Sequence, residues 1–222
     1  MGPDPRLRAQ LAQMVAERPS ATHAQVERRS WMLVALGVLW LLFGTWAIGI
    51  HWGSRSDAWI SLSLAGFAAC GILGTILVFS RGAWGLGRSR PLLAALSVAI
   101  PLGLLLLVVV WGWDGPRSLD WALVPWSAHR QCLLSSLFLG LGPFAGFMWA
   151  RRNSDPVRPG TTGALRGAAA GSLAGVAMDL HCAQTQVLHL VLGHVLPVGL
   201  MALLGAAVGR WLLGMHARVR TK

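Results

Sequence analysis

The chain has 222 residues, 55% of them hydrophobic and only 12% charged, with a mean hydropathy of +0.57. Soluble domains carry about 25% charged residues, so this composition excludes an ordinary water-soluble domain and describes a membrane protein whose charges sit between long apolar runs. The net charge of +11 follows the positive-inside bias and calls for no direct contact with nucleic acid, and the spread of Cys70, Cys132 and Cys182 is neither a disulfide scaffold nor a CxxC metal motif.

Residues 1–30 are polar, contain Arg6, Arg8, Arg18, Arg28 and Arg29, and lack the apolar core of a cleavable signal peptide, so this end is expected in the cytoplasm. Pro19 divides the segment. Before it, Leu7, Leu11, Met14 and Val15 follow the i, i+4, i+7, i+8 pattern of a narrow apolar stripe on a short charged helix. After it, Thr22 with Gln25 three residues on can cap a second helix that runs into the first span. So short an amphipathic helix needs something to bury its stripe against. A lipid surface and a cytoplasmic partner protein both serve.

Six apolar segments follow, at about 31–50, 58–79, 91–111, 131–150, 163–181 and 187–213, each near the ~20 residues that cross a hydrocarbon core. The predicted fold is all-α: a six-helix transmembrane domain over residues 31–222 behind the cytoplasmic segment 1–30. Tryptophans gather near the segment ends, as at Trp31, Trp52, Trp111, Trp149 and Trp211, where indoles face headgroups, whereas Trp40 and Trp46 lie deeper and are expected to pack within the bundle. Sixteen of the nineteen Arg and Lys residues fall on one set of alternate faces; Arg55, Arg117 and Arg130 are the remainder. That asymmetry predicts both termini in the cytoplasm. Pro101 and Pro143 fall inside the third and fourth spans, where they bend helices or open space beside them.

On the outer side the chain concentrates its reactive groups. His129 and Cys132 are three residues apart, as are Asp179 and Cys182, so each pair can share a helix face. His181, His189 and His194 add imidazoles near the same boundary. His189 and His194, five apart, do not share a face on a regular helix, which argues against both binding one ion. Asp179 is expensive within a span unless paired, and His181 or His189 is its expected partner. Three readings stand open: a polar cap, a redox pair of Cys132 with Cys182, and a thiolate and imidazole metal site. Cys70, among small apolar residues, is read as packing.

Gly163, Gly167, Gly171 and Gly175 recur every fourth residue, a stripe on which another helix can come close; Gly205 and Gly209 repeat the spacing and predict contact between the fifth and sixth spans, with a homodimer face left open. No GxSxG elbow, HExxH, P-loop or dinucleotide fingerprint is present, no cofactor is called for, and the spans lack the paired ionisable groups of a proton-coupled transporter. An enzyme is not expected. A small-molecule or metal transporter or sensor using His129, Cys132, Asp179, Cys182 and His189 is the alternative.

The basic N-terminal segment, six short-looped spans, Cys132 opening the fourth span and the run MDLHCAQTQVLHLVLGHVLPVGLMALLGAAVGR at 178–210 together resemble the six-span bacterial membrane anti-sigma factors of the NrsF type, which are akin in function to the CarR-type regulators of light-induced carotenoid synthesis. The resemblance covers nearly the whole chain. It implies an inner-membrane protein whose N-terminal segment holds an extracytoplasmic-function sigma factor away from RNA polymerase. Arg6, Leu7, Arg8, Leu11, Met14, Val15, Arg18, Arg28 and Arg29 would then form the sigma-binding surface. It also implies that Cys132 and Cys182, with His129, Asp179, His181 and His189 around them, sense an envelope, light or oxidative stimulus. One departure from the family pattern is Ala183, where a proline often follows the second cysteine.

Overall fold

The glycine-striped helix is the axis of the structure. A computed structural model describes residues 23–49, 57–79, 90–113, 119–120, 123–150 and 159–219. Within them run α1 (His23–Ile48), α2 (Asp57–Phe79), α3 (Arg90–Gly112), α4 (Trp126–Ala150), α5 (Pro159–His181) and the short α6 (Val187–Leu190); α6 passes through a π turn at Val191–Val195 directly into α7 (Leu196–Val219). There is no strand among the described residues. Of the positions expected to bind a sigma factor, Arg6, Leu7, Arg8, Leu11, Met14, Val15 and Arg18 lie outside them; Arg28, exposed, and Arg29 fall in the second turn of α1.

Helices are what such a sequence must form, because in hydrocarbon every backbone N–H and C=O has to be satisfied within its own segment. Among the described residues five helical stretches are long and apolar enough to cross a membrane: Ser30–Ile48, Ser61–Phe79, Pro91–Gly112, Trp126–Ala150 and Val187–Leu212. The expected sixth, α5, falls short on hydropathy. The physical reason is its position. α5 touches every other long helix, and Ala168, Ala169, Ala170, Ser172 and Ala174 on it are completely buried. A helix that meets protein on all sides has no need of the long apolar side chains that face lipid, and it can carry Arg166, Ser172 and Asp179.

The stripe explains the closeness. A Cβ on Gly163 would overlap the Gly205 carbonyl oxygen, and one on Gly167 the Met201 carbonyl oxygen; at Gly171 it would stand 2.8 Å from the Cα of Val198. Gly205 and Gly209 face back onto Gly163 and Pro159 in the same way. The stripe drifts as a four-residue repeat must on a 3.6-residue helix, so the fourth glycine, Gly175, meets the Phe67 ring of α2 instead. The contact predicted between the fifth and last spans is present, backbone against backbone.

Around this axis the outward positions are large and apolar: Leu36, Leu39, Leu42, Phe43, Leu102, Leu106, Val110 and Leu203 are all exposed. A band of that width suits lipid and would drive association in water. Trp40 packs its ring at 4.9 Å from Phe138 and donates its indole N–H to the Phe138 carbonyl. Trp46, expected inside, is instead 75% exposed beside Phe43; depth in the sequence of a span does not fix which face a residue occupies.

α1 runs antiparallel to α4. Gly142 and Gly146 of α4 receive Trp40 and Leu33 of α1, and Ser30 hydrogen-bonds to the Ala150 carbonyl at one end. At the other end α1 stops at Gly49, whose φ of 90° is the left-handed cap that glycine allows, with its N–H on the Thr45 carbonyl. The Gly49 carbonyl then meets His181 Nδ1 at 2.9 Å. Ser30 and the His181 end are therefore about 28 Å apart along α1.

Candidate thiolate and imidazole site

The sequence expects the fourth span from about residue 131, but α4 begins at Trp126, so His129, Cys132 and Ser136 follow one another on one face of its first three turns. All three are buried. α5 ends at His181, and Cys182 still bonds its N–H to the Met178 carbonyl at 2.8 Å, which carries it onto the face of Asp179. Residues 182–186 then turn the chain into α6 with His189.

The next step is the π turn. Pro197, near the start of α7, has no N–H to give the Gly193 carbonyl four residues back, so the α ladder cannot run through this point. The chain widens into a π turn at Val191–Val195, the adjustment by which membrane helices accommodate proline. The freed Gly193 carbonyl accepts the Ser136 hydroxyl at 2.8 Å. A residue without a side chain is required here, because a Cβ on Gly193 would stand 2.9 Å from the Cys132 Cβ. The wider turn also overturns the helical-wheel argument about the histidines. Five residues make little more than one turn of π helix, and His189 and His194 return to the same side, ring centroids 6.0 Å apart.

The result is a closed cluster. Cys132 Sγ is 3.9 Å from Cys182 Sγ, and Cys182 Sγ is 3.2 Å from His189 Nε2. His189 Nδ1 is in turn 3.2 Å from His129 Nδ1. Among the described residues neither thiol forms a disulfide. The hydrogen bond from Cys132 holds the Cys182 thiol below its ordinary range, against burial, with the bond to His189 acting in the same direction. Asp179 accepts the Ser63 hydroxyl of α2 and places its other oxygen 3.4 Å from His194 Nδ1. The expected partners of Asp179, His181 and His189, are thus both replaced. His181 is spent on the Gly49 carbonyl and stands outside the cluster, while His189 faces Cys182 and His129. Of the six sensing positions read from sequence, Cys132, Cys182, His129, Asp179 and His189 come together, and His194, Ser63 and Ser136 join them. Cys70 is half-buried and packs in a separate apolar cluster.

Such a cluster can bind a soft cation, oxidise to a disulfide, or hold its shape by hydrogen bonding alone. The family model described as NrsF, negative regulator of sigma F, matches residues 11–214, a stretch that takes in the whole described bundle up to the last turns of α7 and part of the basic N-terminal segment.

The chain belongs to the NrsF family.

A curated member, the anti-sigma-F factor NrsF of Caulobacter vibrioides (strain NA1000 / CB15N), is 37% identical over 84 residues, 38% of this chain and 39% of that protein. The matched part of the chain therefore spans well under half of that relative's length. No solved structure matches the chain. The NrsF family is described as one of negative regulators of sigma F.

Proposed function

We propose that this chain is an inner-membrane anti-sigma factor. Its residues 1–30 sequester a sigma factor of the extracytoplasmic-function class, and its transmembrane domain, residues 31–222, releases that factor when a stimulus acts on the outer cluster. The match of the NrsF family model from residue 11 through the bundle carries this reading. In the bound state Leu7, Leu11, Met14 and Val15 supply apolar anchors, and Arg6, Arg8, Arg18, Arg28 and Arg29 supply charge complementary to an acidic sigma surface. Both termini lie in the cytoplasm.

The geometry supports a route for the signal. Cys132 and its neighbours sit at one end of α4, which packs along α1 through Gly142 and Gly146. α1 continues without a break back to His23, within the sigma-binding segment. A change at the cluster that shifts α4, α5 and the last helix between two packings would be delivered to the opposite end of the bundle.

The test is affinity capture from detergent extract of cells that contain the sigma factor, using the full chain and a chain lacking residues 1–22. The full chain is expected to retain the sigma factor, and loss of the anchors should weaken retention by about 100-fold or more. Equal retention by the shortened chain would overturn the assignment of the binding segment; no retention by either would overturn the function.

A further inference from the structure

We propose that Cys132, Cys182, His189 and His194 form a closed four-coordinate site for a zinc-class divalent cation. One ligand atom from each, two Sγ and two imidazole nitrogens, lies within 4.8 Å of all the others, and all four residues are buried. A tetrahedral ion with bonds of about 2.3 Å to sulfur and 2.0–2.1 Å to nitrogen has ligand–ligand edges of roughly 3.3–3.8 Å. The observed 3.9 Å between the sulfurs and 3.2 Å from Cys182 Sγ to His189 Nε2 bracket that range. The remaining pairs lie within 4.8 Å, so an ion would draw the four groups together by at most about 1.5 Å.

The surroundings point to the same ligand. His194 is completely buried, and its Nε2 makes no hydrogen bond among the described residues; a buried polar atom of that kind calls for an explanation. Asp179, at 3.4 Å from His194 Nδ1, favours the tautomer with the proton on Nδ1 and leaves Nε2 for a cation, the carboxylate–histidine–metal arrangement. Ser63 holds the carboxylate from its other side. His129 does for His189 what Asp179 does for His194, since it meets Nδ1 and leaves Nε2 directed at Cys182.

Charge and softness select the ion. Binding a divalent cation displaces the two thiol protons to solvent, and two thiolates with two neutral imidazoles then give a site of zero net charge. That is the arrangement least costly to bury. No oxygen atom is among the four ligand atoms, which disfavours magnesium and calcium, while sulfur and imidazole together suit zinc and its heavier congener cadmium. Four protein ligands leave no open position, so the ion is structural. It ties α4 to the end of α5, to α6 and to the π turn itself. The ion site deepens the sensing role proposed above and rests on it only for its regulatory consequence.

The test uses the full-length protein purified in detergent without chelator. Elemental analysis should find about one zinc per chain. Cobalt added to the apo protein should give the ligand-field bands of a tetrahedral site together with thiolate charge-transfer bands. Cys132→Ser and His194→Ala should remove both signals, and Asp179→Asn should weaken cobalt affinity by about 10- to 100-fold while keeping the tetrahedral spectrum. On the unaltered protein, alkylation of Cys132 and Cys182 should be slow with zinc bound and fast after chelation, a readout that needs no variant to fold. Reduced protein that takes up neither zinc nor cobalt overturns the site, as does a Cys132→Ser/Cys182→Ser variant that keeps its metal. Metal content is read without any sigma factor, so loaded protein that captures no sigma factor would sink the proposed function alone.

Discussion

Gly167→Leu is expected to abolish the folded bundle, and Gly167→Ala alone to cost about 3 kcal/mol or more. A Cβ at this position overlaps the Met201 carbonyl oxygen and approaches the Ala202 Cα to 3.0 Å. The obstacle is backbone, which cannot swing aside as a side-chain end does. Between membrane helices there is little hydrophobic drive, so close packing has to provide the association, and α5 is the helix that every other long one packs on. Gly199→Ala is the matched control. It lies on the partner helix with nothing within 4 Å of an added methyl, so it should be neutral or stabilise by up to about 1 kcal/mol through helix propensity. Thermal unfolding in detergent, followed by tryptophan fluorescence, separates the two. Equal midpoints for Gly167→Ala and Gly199→Ala would contradict the packing described for α5.

Asp179→Leu carries the second large effect. It leaves the Ser63 hydroxyl and the His194 imidazole without their shared partner in the buried interior, at a cost of about 1–3 kcal/mol for each group left unsatisfied. Asp179→Asn keeps an acceptor oxygen for Ser63 and should lose about half as much. The loss should be accompanied by faster alkylation of Cys182, because Asp179, one helical turn before it, ties that end of α5 to Ser63 and His194. A leucine variant with unchanged midpoint and unchanged thiol reactivity would show that the carboxylate does not hold the α2, α5 and π-turn elements together.

Much of this was legible in the sequence, for identifiable reasons. The glycine spacing at 163–175 and at 205–209 carried the α5–α7 contact, because a four-residue repeat without side chains has one physical use in a lipid-embedded helix. Counting alternate faces puts Cys132 and Cys182 at one depth but not side by side; their approach to 3.9 Å comes from the packing of α4 on α5. What escaped was local. The hydropathy of α5 reflects its place at the centre, and a sequence window has no knowledge of neighbours. The pairing of His194 with Asp179 was hidden by the assumption of regular α geometry from 187 onward. Pro197, four residues after Gly193, was the available sign that the ladder breaks there and that residues five apart can meet. Ser63 could not have been found, since nothing in its own apolar surroundings distinguishes a serine that faces a carboxylate on another helix from one that bonds its own backbone.

The proposed anti-sigma arrangement requires residues 1–30 on one side of the membrane and the stretch 114–122 between α3 and α4 on the other, with the Cys132 and Cys182 cluster nearer that stretch. The most direct measurement is a pair of topology reporters, one fused ahead of residue 1 and one inserted in that stretch. A reporter active only in the cytoplasm should work at the N-terminal fusion and fail at the insertion, and one active only in the periplasm should do the reverse. Periplasmic activity at the N-terminal fusion would put the sigma-binding segment where no sigma factor exists, and the proposed function would be contradicted.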